Sequence, residues 1–300
     1  MITSIHELFL AAQSATKRTM VLVNGIDEHS LGAASKAVEL GLVDVLVTGD
    51  QNLVLDCCRK LGIPADRLTT IHANNEVEAA MLALQQIADK KADCIMKGLI
   101  STDKFMRALL DKNLGVVGPE GIISHITVVE NKNYNKLLFV SDVAIIPYPD
   151  VKQKSVMIGY LIQVAKKFGI LEPKVALIAA TEQVIPSITA CADAALLSQM
   201  AHRGQIVGGL IDGPMGLDVA IDEESAKIKK IEGGVAGNAD CLLFPNIDAG
   251  NVFYKTSTKL CESEQAAIVV GAKVPAVLSS RGDSVQTKLN SIALAVLMSQ

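Results

Sequence analysis

The chain has 300 residues, a formal net charge of −4, about half hydrophobic residues and no tryptophan. This length is enough for the cores of two ordinary domains or of one large α/β body. A mean hydropathy of +0.35 without a long uncharged apolar run favours heavy burial over membrane insertion. The lack of a basic tract interleaved with aromatic residues argues against nucleic-acid binding.

The N-terminus and the cysteines favour a cytoplasmic protein. His6 and Glu7 stand beside a short apolar patch, and the basic segment and continuous apolar core of a signal peptide are missing. The cysteines show no paired metal-binding spacing, and several have apolar neighbours; they are Cys57, Cys58, Cys94, Cys191, Cys241 and Cys261. We therefore expect reduced, buried thiols.

Short β-rich runs alternate with longer segments of helical periodicity. Predicted strands that precede a helical pattern occupy residues 20–24, 44–50, 92–98, 174–180, 205–213, 240–245 and 274–280. This alternation predicts βαβ units on a largely parallel sheet, and so an α/β fold.

The middle of the chain breaks this rhythm. Between residues 115 and 150, two β-rich runs at 125–130 and 137–146 are separated by a polar turn, which suggests antiparallel strands. We place a change of domain here, with a first domain of roughly 1–135.

Four strand-to-helix junctions carry unusual polar residues, and ligands of open α/β folds bind beyond the carboxyl ends of strands. At the first junction Lys97 and Gly98 leave a predicted strand, and Ser101 or Thr102 is placed to cap the next helix. Free amides at a helix N-terminus beside an ammonium group favour phosphate. A plain cap with a solvated lysine is the alternative.

The second junction is a Gly-Pro turn, with Gly213 and Pro214 bracketed by Asp212 and Asp218. Gly-Pro after a strand predicts a tight turn, and turn chemistry alone is a strong alternative to ligand binding.

The third junction runs from Asn246 through Gly250 and Asn251 to Lys255 and Lys259. Gly250 allows a ligand to approach the backbone closely. The two lysines are four residues apart and share a helix face, where solvation is the alternative to anion binding.

The fourth junction, in the segment LSSRGDSVQTKLNS at 278–291, contains Ser280, Arg281 and Asp283. The apolar spacing at residues 285, 289, 292 and 296 predicts a terminal helix that starts near Asp283 or Ser284. Asp283 with Gln286 fits a capping box, whereas an arginine beside hydroxyls at a helix start suits an oxyanion or phosphate. An adhesive Arg-Gly-Asp role does not fit a cytoplasmic protein. Together the four junctions predict an anion-binding cleft.

At these junctions the sequence resembles the phosphate acyltransferases, and in particular their phosphate butyryltransferase branch. The matching segments are KGLISTDKFMRALL, SDVAIIPYPD, IDGPMGLDVAI, GGVAGNADCLLFPNIDAGNVFYK and VVGAKVPAVLSSRGDSVQTKLNSIALA. The resemblance runs from about residue 20 to the C-terminus. Phosphate acetyltransferases are commonly longer and carry Ser-Arg-Gly-Cys-Ser where this chain has Ser-Arg-Gly-Asp-Ser.

The resemblance implies an isocitrate/isopropylmalate-dehydrogenase-like fold of two α/β domains with the active site in the cleft between them. Since the last helix of the family returns to the first domain, we expect domains of 1–135 plus 278–300 and of 136–277, the second of which dimerises. It also implies a homodimer or higher homo-oligomer, and transfer of an acyl group between CoA and inorganic phosphate. The expected partners are acyl-CoA, CoA and phosphate, without nucleic acid, membrane, metal or redox cofactor.

Residue roles follow from the matching positions. Ser280 and Arg281 match the family's pair that contacts the thioester carbonyl and phosphate, and Lys259 lies about where phosphate acetyltransferases have a phosphate-binding arginine. Thr287 stands where those enzymes carry an aspartate proposed as the base for the CoA thiol. Either Asp283 takes that role or no dedicated base is used.

Three alternatives stay open at this point. The activity could be that of a phosphate acetyltransferase, or of a metal-dependent dehydrogenase of the same fold that uses Asp212, Asp218 and Asp222. The chain could also bind CoA or a nucleotide without catalysis. A ping-pong route through a cysteine is disfavoured, because no cysteine lies at a junction with a histidine. His125 could line the cleft or be structural.

Overall fold

The computed structural model describes residues 1–111, 116–117, 120–278 and 283–300. These residues form two compact units, which we call the central unit (Met1–Ile5 and Ile122–Gln265) and the terminal unit (His6–Gly121 and Ala266–Gln300). The central unit includes 122–135, and the terminal unit includes 266–277; the sequence analysis had assigned these two segments the other way round. The expected domain boundaries and the cleft between domains stay predictions.

The described strands and helices alternate along most of the chain. The strands are β1 (Arg18–Val23), β2 (Val43–Gly49), β3 (Thr69–His72), β4 (Cys94–Lys97), β5 (Ser124–Glu130), β6 (Leu138–Ser141), β7 (Lys174–Ile178), β8 (Leu210–Met215), β9 (Cys241–Leu243), β10 (Glu264–Val270) and β11 (Ala276–Val277). The helices are α1 (Ile5–Ser14), α2 (Glu28–Glu39), α3 (Gln51–Leu61), α4 (Glu76–Ala88), α5 (Thr102–Leu109), α6 (Val151–Lys167), α7 (Thr189–His202), α8 (Leu217–Ile221), α9 (Glu223–Lys229), α10 (Ile247–Lys259) and α11 (Val285–Met298), with a 3-10 helix at Ala65–Arg67.

The strands of the terminal unit lie in the order β3-β2-β1-β4-β11-β10. All pairings are parallel except that between β10 and β11. Val23 pairs with Lys97, and Met96 pairs with Val277. Because parallel strands end at the same edge, the chain leaves β1, β4 and β11 at adjacent points. The helix α11 packs against α2 and β11 and buries Ile292 and Val296 completely.

The strands of the central unit lie in the order β5-β6-β9-β7-β8. The pair β5–β6 is antiparallel, with Thr127 opposite Val140, and the other pairs are parallel. A buried cluster that includes Val140, Met215, Leu242 and Phe244 forms its core. The predicted antiparallel strands in the middle of the chain and the largely parallel α/β class are confirmed.

Two strands were not predicted, for different reasons. β3 has four residues, none of them fully buried, so its apolar signal is weak. β10 carries the apolar run of residues 266–270 but leads into β11 without an intervening helix, so it does not fit a strand–helix alternation. Among the described residues, no helix combines the length and the apolar character that a membrane crossing needs.

Candidate functional site

The carboxyl end of β4 packs directly on the carboxyl end of β1. The amide of Gly98 donates to the carbonyl of Val23 at 2.9 Å, and the amide of Leu99 donates to that of Asn24 at 3.0 Å. A β-carbon at Gly98 would collide with the carbonyl oxygens of both Val23 and Asn24. The side-chain amide of Asn24 donates to the Leu99 carbonyl at 2.5 Å and adds a third hydrogen bond between the two strand ends. Gly98 is therefore required by the backbone contact itself.

Lys97 and Ser101 flank this contact. The half-buried Lys97 places Nζ 3.3 Å from the Gly98 carbonyl. The Ser101 hydroxyl accepts from the Lys104 amide at 3.3 Å and caps α5, so Ser101 is the cap and Thr102 is the first, exposed residue of the helix. Hydrogen bonds from the Lys104 ammonium and from the Ser101 amide lower the pKa of the Glu76 carboxyl. Glu76 therefore anchors the start of α5.

The start of α11 differs from the predicted capping box. The cap is Ser284, whose hydroxyl accepts from the Thr287 amide at 3.0 Å. Gln286 does not reach back to a cap; its side chain donates to Asn290 Oδ1 at 2.8 Å. The prediction that Asp283 caps the helix is therefore wrong by one residue, because it is Ser284 that has the extended backbone of a cap residue. Ser280 and Arg281 lie outside the described residues.

A lysine that the sequence analysis did not select is buried in the first turns of α11. Lys288 is 3 % exposed, and its Nζ donates to the carbonyl of Asp283 at 2.9 Å. A signal was present, since Lys288 is three residues after Val285 and four before Ile292, on the predicted apolar face. A positive charge, however, is normally a sign of exposure.

The Gly-Pro segment lies inside β8 and not after it, which corrects the predicted tight turn. Gly213 and Pro214 fall within Leu210–Met215, where the pairing between β7 and β8 shifts register between Ala176 and Ile178. β8 is the last strand in the order given for the central unit, and an outer strand tolerates a proline. The carboxylate of Asp212 accepts from the amide of Gly213 at 2.8 Å.

The other two aspartates of the dehydrogenase alternative have local partners. Asp218 forms an ion pair with Lys229 at 3.0 Å, and Asp222 caps α9 by accepting from the Ser225 amide at 2.7 Å. Glu182 accepts from Lys229 Nζ at 3.0 Å and from the Gly216 amide at 3.1 Å. Within the described ranges, no three His, Cys, Asp or Glu side chains are grouped so that they could hold a metal ion.

These contacts shift the pKa of each partner. The hydrogen bond from Lys229 lowers the pKa of Asp218. Burial acts to raise the pKa of Glu182, but the hydrogen bonds from Lys229 and Gly216 outweigh it and the pKa falls below its usual value. The hydrogen bonds to Asp218 and Glu182 in turn raise the pKa of Lys229.

The third junction holds α10 against the segment that follows β6. Asn246 caps the helix by accepting from the Ala249 amide at 3.0 Å, and Asn251 Nδ2 donates to the Val143 carbonyl at 3.0 Å. A β-carbon at Gly250 would collide with the Asp142 carbonyl oxygen. The residues Asn246, Gly250 and Asn251 thus fix α10, which presents the exposed Lys255 and Lys259 one turn apart.

Asp142 organises the segment on which α10 rests. Its buried carboxylate accepts from the Ser124 hydroxyl at 2.9 Å, from the His125 amide at 3.1 Å and from the amides of Ala144 and Ile145 at 2.7 and 2.8 Å. The His125 ring is buried beside Thr127, with Nδ1 3.4 Å from the hydroxyl. His125 is therefore placed as a structural residue of β5.

Each unit brings together some of the site residues that were predicted from the sequence. In the terminal unit, the adjacent ends of β1, β4 and β11 place Lys97, Gly98 and the residue that follows Val277 at one edge. In the central unit, the end of β9 leads into α10 with its two exposed lysines. Ammonium groups and backbone amides at strand ends suit anions such as phosphate.

Comparisons with known proteins agree with this chemistry. Residues 60–296 match the family model described as "Phosphate acetyl/butaryl transferase". The chain is 39% identical to a phosphate butyryltransferase of Clostridium acetobutylicum over 99% of both chains, and 34% identical to a phosphate acetyltransferase of Rhizobium meliloti over 97% of this chain and 92% of that one.

A solved structure shows the same fold. The chain resembles a branched-chain phosphotransacylase from Enterococcus faecalis V583 with a TM-score of 0.84 at 28% identity, over 94% of this chain and 99% of that chain. Because the family model covers most of the sequence and the clostridial relative aligns over nearly the whole of both chains, this chain belongs to the phosphate acetyl/butyryl transferase family.

Proposed function

We propose that this protein is a phosphate butyryltransferase, which reversibly transfers a short-chain acyl group between CoA and inorganic phosphate. The observation that carries the proposal is the near full-length similarity to the clostridial phosphate butyryltransferase. The edge of the terminal unit supports it, because the chain enters the connection that contains Ser280 and Arg281 beside Lys97 and Gly98.

The reaction needs two anionic substrates in one ternary complex. A phosphate oxygen attacks the thioester carbonyl, a carbon–oxygen bond forms, and the carbonyl oxygen becomes an oxyanion. The oxyanion then collapses, the carbon–sulfur bond breaks, and CoA leaves as a thiolate that takes a proton from solvent. Phosphate is partly dianionic near neutral pH, and a thiol pKa of about 8.5 allows the thiolate to leave, so a dedicated base is not essential.

The protein's task is then to position the substrates and to stabilise charge. We assign phosphate and oxyanion neutralisation to Arg281 and a hydrogen bond on the carbonyl oxygen to Ser280, with Lys97 and Lys259 offsetting phosphate charge. Orientation of two bound reactants contributes on the order of 7–11 kcal/mol, and each oxyanion donor about 3–4 kcal/mol. Asp283 is the candidate base if one is used.

The remaining selected residues support substrate binding through the backbone. Gly98 and Ser101 shape the loop after β4, and Thr102 opens α5 behind them. Asp212, Gly213 and Pro214 shape β8 of the central unit. Asn246, Gly250 and Asn251 hold α10, and we assign its exposed Lys255 to a phosphate of CoA. We further propose a cytoplasmic homo-oligomer that needs no metal or redox cofactor.

The test is phosphate-dependent release of CoA from acetyl-, propionyl- and butyryl-CoA, followed by a thiol reagent. We expect release only with phosphate, with the highest kcat/KM for butyryl-CoA. Arg281→Ala should lower turnover by orders of magnitude with an unchanged circular dichroism spectrum; full activity in this variant would refute the role of Arg281.

The same assay separates the alternatives. A preference for acetyl-CoA would favour a phosphate acetyltransferase, the activity named for the Rhizobium meliloti relative. Absence of CoA release together with chelator-sensitive reduction of a nicotinamide cofactor would favour the dehydrogenase. Absence of both, with acyl-CoA binding retained, would favour a non-catalytic binding protein.

A further inference from the structure

A cavity of about 640 Å³ lies within the terminal unit, at the amino ends of β4 and β11. Its walls come from residues that lead into these strands, among them Asp93 and Pro275, and from the last turns of α4 and α11. Asp93 precedes β4, whereas Lys97 ends it, so the two residues are about 13 Å apart along the strand. The cavity is therefore at the opposite edge of the sheet from the residues that we assign to phosphate.

The size and the walls of this cavity suit a small organic molecule. Ligand sites of roughly 300–1,000 Å³ with largely apolar walls and a few polar groups are common in proteins. Backbone hydrogen bonds fix the wall before β11, because the Lys273 amide donates to the Val116 carbonyl at 2.8 Å and the Ile95 amide donates to the Pro275 carbonyl at 3.2 Å. The cavity is thus formed without a ligand.

The charged side chains at the cavity favour an anion. Two of the residues that line it are the exposed Lys90 and Lys273, and neither forms an ion pair with the described residues. Asp93 also lines the cavity, but its carboxylate accepts from the Thr19 amide at 2.9 Å and pairs with Arg18 at 3.6 Å. The two lysines therefore leave positive charge that a ligand can neutralise.

The carboxyl ends of α4 and α11 oppose an anion only weakly. The partial negative charge of a helix end comes from carbonyls that have no partner within the helix. Here the Ile87 carbonyl accepts from the Lys90 amide at 3.0 Å, and the Ala295 carbonyl accepts from the amide and the hydroxyl of Ser299 at 3.0 and 2.6 Å. These contacts reduce the negative charge that the helix ends present to the cavity.

The apolar part of the lining favours an aliphatic chain. It includes Ile87, Val116, Val274, Pro275 and Met298. None of the described residues that line the cavity is aromatic, so a nucleotide base finds no ring on which to stack. An alkyl chain needs only apolar contact, and a methionine side chain adapts its shape to such a chain.

We propose that this cavity binds an aliphatic carboxylate of medium chain length. The carboxylate group lies at Lys90 and Lys273, and the chain lies along the apolar walls. This site is separate from the residues assigned to acyl transfer, so it binds its ligand independently of CoA and phosphate.

The test is isothermal titration of the full chain with decanoate, at concentrations below micelle formation. We expect one decanoate to bind per chain, and the affinity to rise about fourfold per methylene from hexanoate through octanoate to decanoate. Decyltrimethylammonium has the same chain and the opposite charge, and it should bind at least about tenfold more weakly than decanoate. Absence of decanoate binding, or equal binding of the cation, would overturn the inference.

Substitutions of the two lysines locate the charged group. The double variant Lys90→Met/Lys273→Met should weaken decanoate binding about 5- to 20-fold, as expected for two exposed charge pairs. Lys91→Met is the matched control, because Lys91 is the exposed neighbour of Lys90, does not line the cavity and pairs with Asp89 at 3.3 Å. The control should keep the wild-type affinity to within about twofold, and an equal affinity in the double variant would contradict the proposed site.

A substitution that fills the cavity locates the chain. Ala88 is an exposed residue of the lining at the end of α4, so Ala88→Trp should abolish decanoate binding in a folded protein. Gln85→Trp is the control, since Gln85 is exposed on the same helix one turn earlier and does not line the cavity. Wild-type affinity in a folded Ala88→Trp would place the ligand elsewhere.

Competition separates this site from the one in the proposed function. Saturating CoA and phosphate should leave the affinity of the wild type for decanoate unchanged. Displacement of decanoate would refute the inference, because the carboxylate would then occupy the acyl-transfer site. Failure of the wild type to release CoA, with decanoate binding and its response to the variants retained, would refute only the proposed reaction.

Discussion

Gly98 lies where two strand ends touch, and its missing side chain is what allows the contact. The carbonyl oxygens of Val23 and Asn24 occupy the space that a β-carbon would take. Gly250 repeats the arrangement in the central unit, against the Asp142 carbonyl. The sequence analysis assigned Gly250 to ligand approach and Gly98 to the first anion-binding junction, and the structure gives each glycine a packing reason as well.

Gly98→Ala should therefore destabilise the protein by about 1–3 kcal/mol, the usual cost of overpacking. Gly159→Ala is the control, since Gly159 lies within α6 and a β-carbon there meets nothing within 4 Å. The control should gain about 0.5–1 kcal/mol from helix propensity. Urea unfolding measures both, and a Gly98→Ala protein as stable as wild type would contradict the packing argument.

The roles of Asp283 and Ser284 can be distinguished by measuring the stability of variants in the same way. Ser284→Ala removes the cap of α11 and should cost about 0.5–2 kcal/mol of stability. Asp283→Asn leaves the cap intact, so its stability should stay near that of wild type. A base at Asp283 would instead appear as a lower kcat with an altered pH–rate profile; an unchanged profile would mean that no base is used at this position.

At the scale of elements, Lys229 of α9 links this helix to α8 and to the segment after β7. Lys229 contacts both Asp218 and Glu182, while Glu182 also accepts from the Gly216 amide. All three groups lie near the end of β8, so these ion pairs hold the carboxyl edge of the central unit. The folded state lowers the pKa of both carboxyls.

This cluster predicts acid sensitivity. A carboxyl whose pKa is lowered on folding stabilises the protein above its unfolded pKa, and the contribution is lost as the pH falls through the folded value. The loss should begin near the ordinary values of 4.5 for Glu182 and 3.8 for Asp218 and continue below them. The difference in melting temperature between wild type and Lys229→Met should accordingly shrink from pH 7 toward pH 3.

Lys227→Met is the control for this measurement. Lys227 lies on the same helix and pairs with the exposed Glu223 across one turn, at 3.4 Å. Its effect on the melting temperature should be small at every pH. If the Lys229→Met difference were constant over the whole range, the cluster would not be the source of acid sensitivity.

At the scale of the whole molecule, the cysteines bear on the choice of mechanism. Cys57, Cys58, Cys94, Cys191 and Cys241 are buried, and Cys261 is half-buried. Burial raises the pKa of Cys94 to about 12 and raises those of Cys57, Cys58 and Cys241. Such thiols are poor nucleophiles at neutral pH.

A thiol reagent at pH 7 should modify one cysteine of the native protein quickly, Cys261, and all six after unfolding. Activity should survive that modification, because the ternary-complex mechanism uses no thiol of the protein. Cys261→Ser should remove the fast reaction and keep the activity. Loss of activity in this variant would instead support a covalent route through cysteine.

The α/β alternation was readable because apolar strands and amphipathic helices differ in period, and most strand positions were predicted to within a few residues. The identity of the cap of α11 was not readable from the sequence, because the choice between Asp283 and Ser284 depends on the backbone conformation of one residue. Buried polar groups were hardest to predict. Lys288 looks like a surface residue in sequence, and the donors around Asp142 come together only when β5 and β6 pair.

The path of the chain also has a consequence during translation. The polypeptide leaves the terminal unit at residue 121 and re-enters it at 266. β11, which lies between β4 and β10, and α11 therefore emerge from the ribosome after the central unit. Until β11 is synthesised, β4 has an unpaired edge in the parallel sheet of the terminal unit. Residues 122–265 already have all the strands of the central unit at that stage.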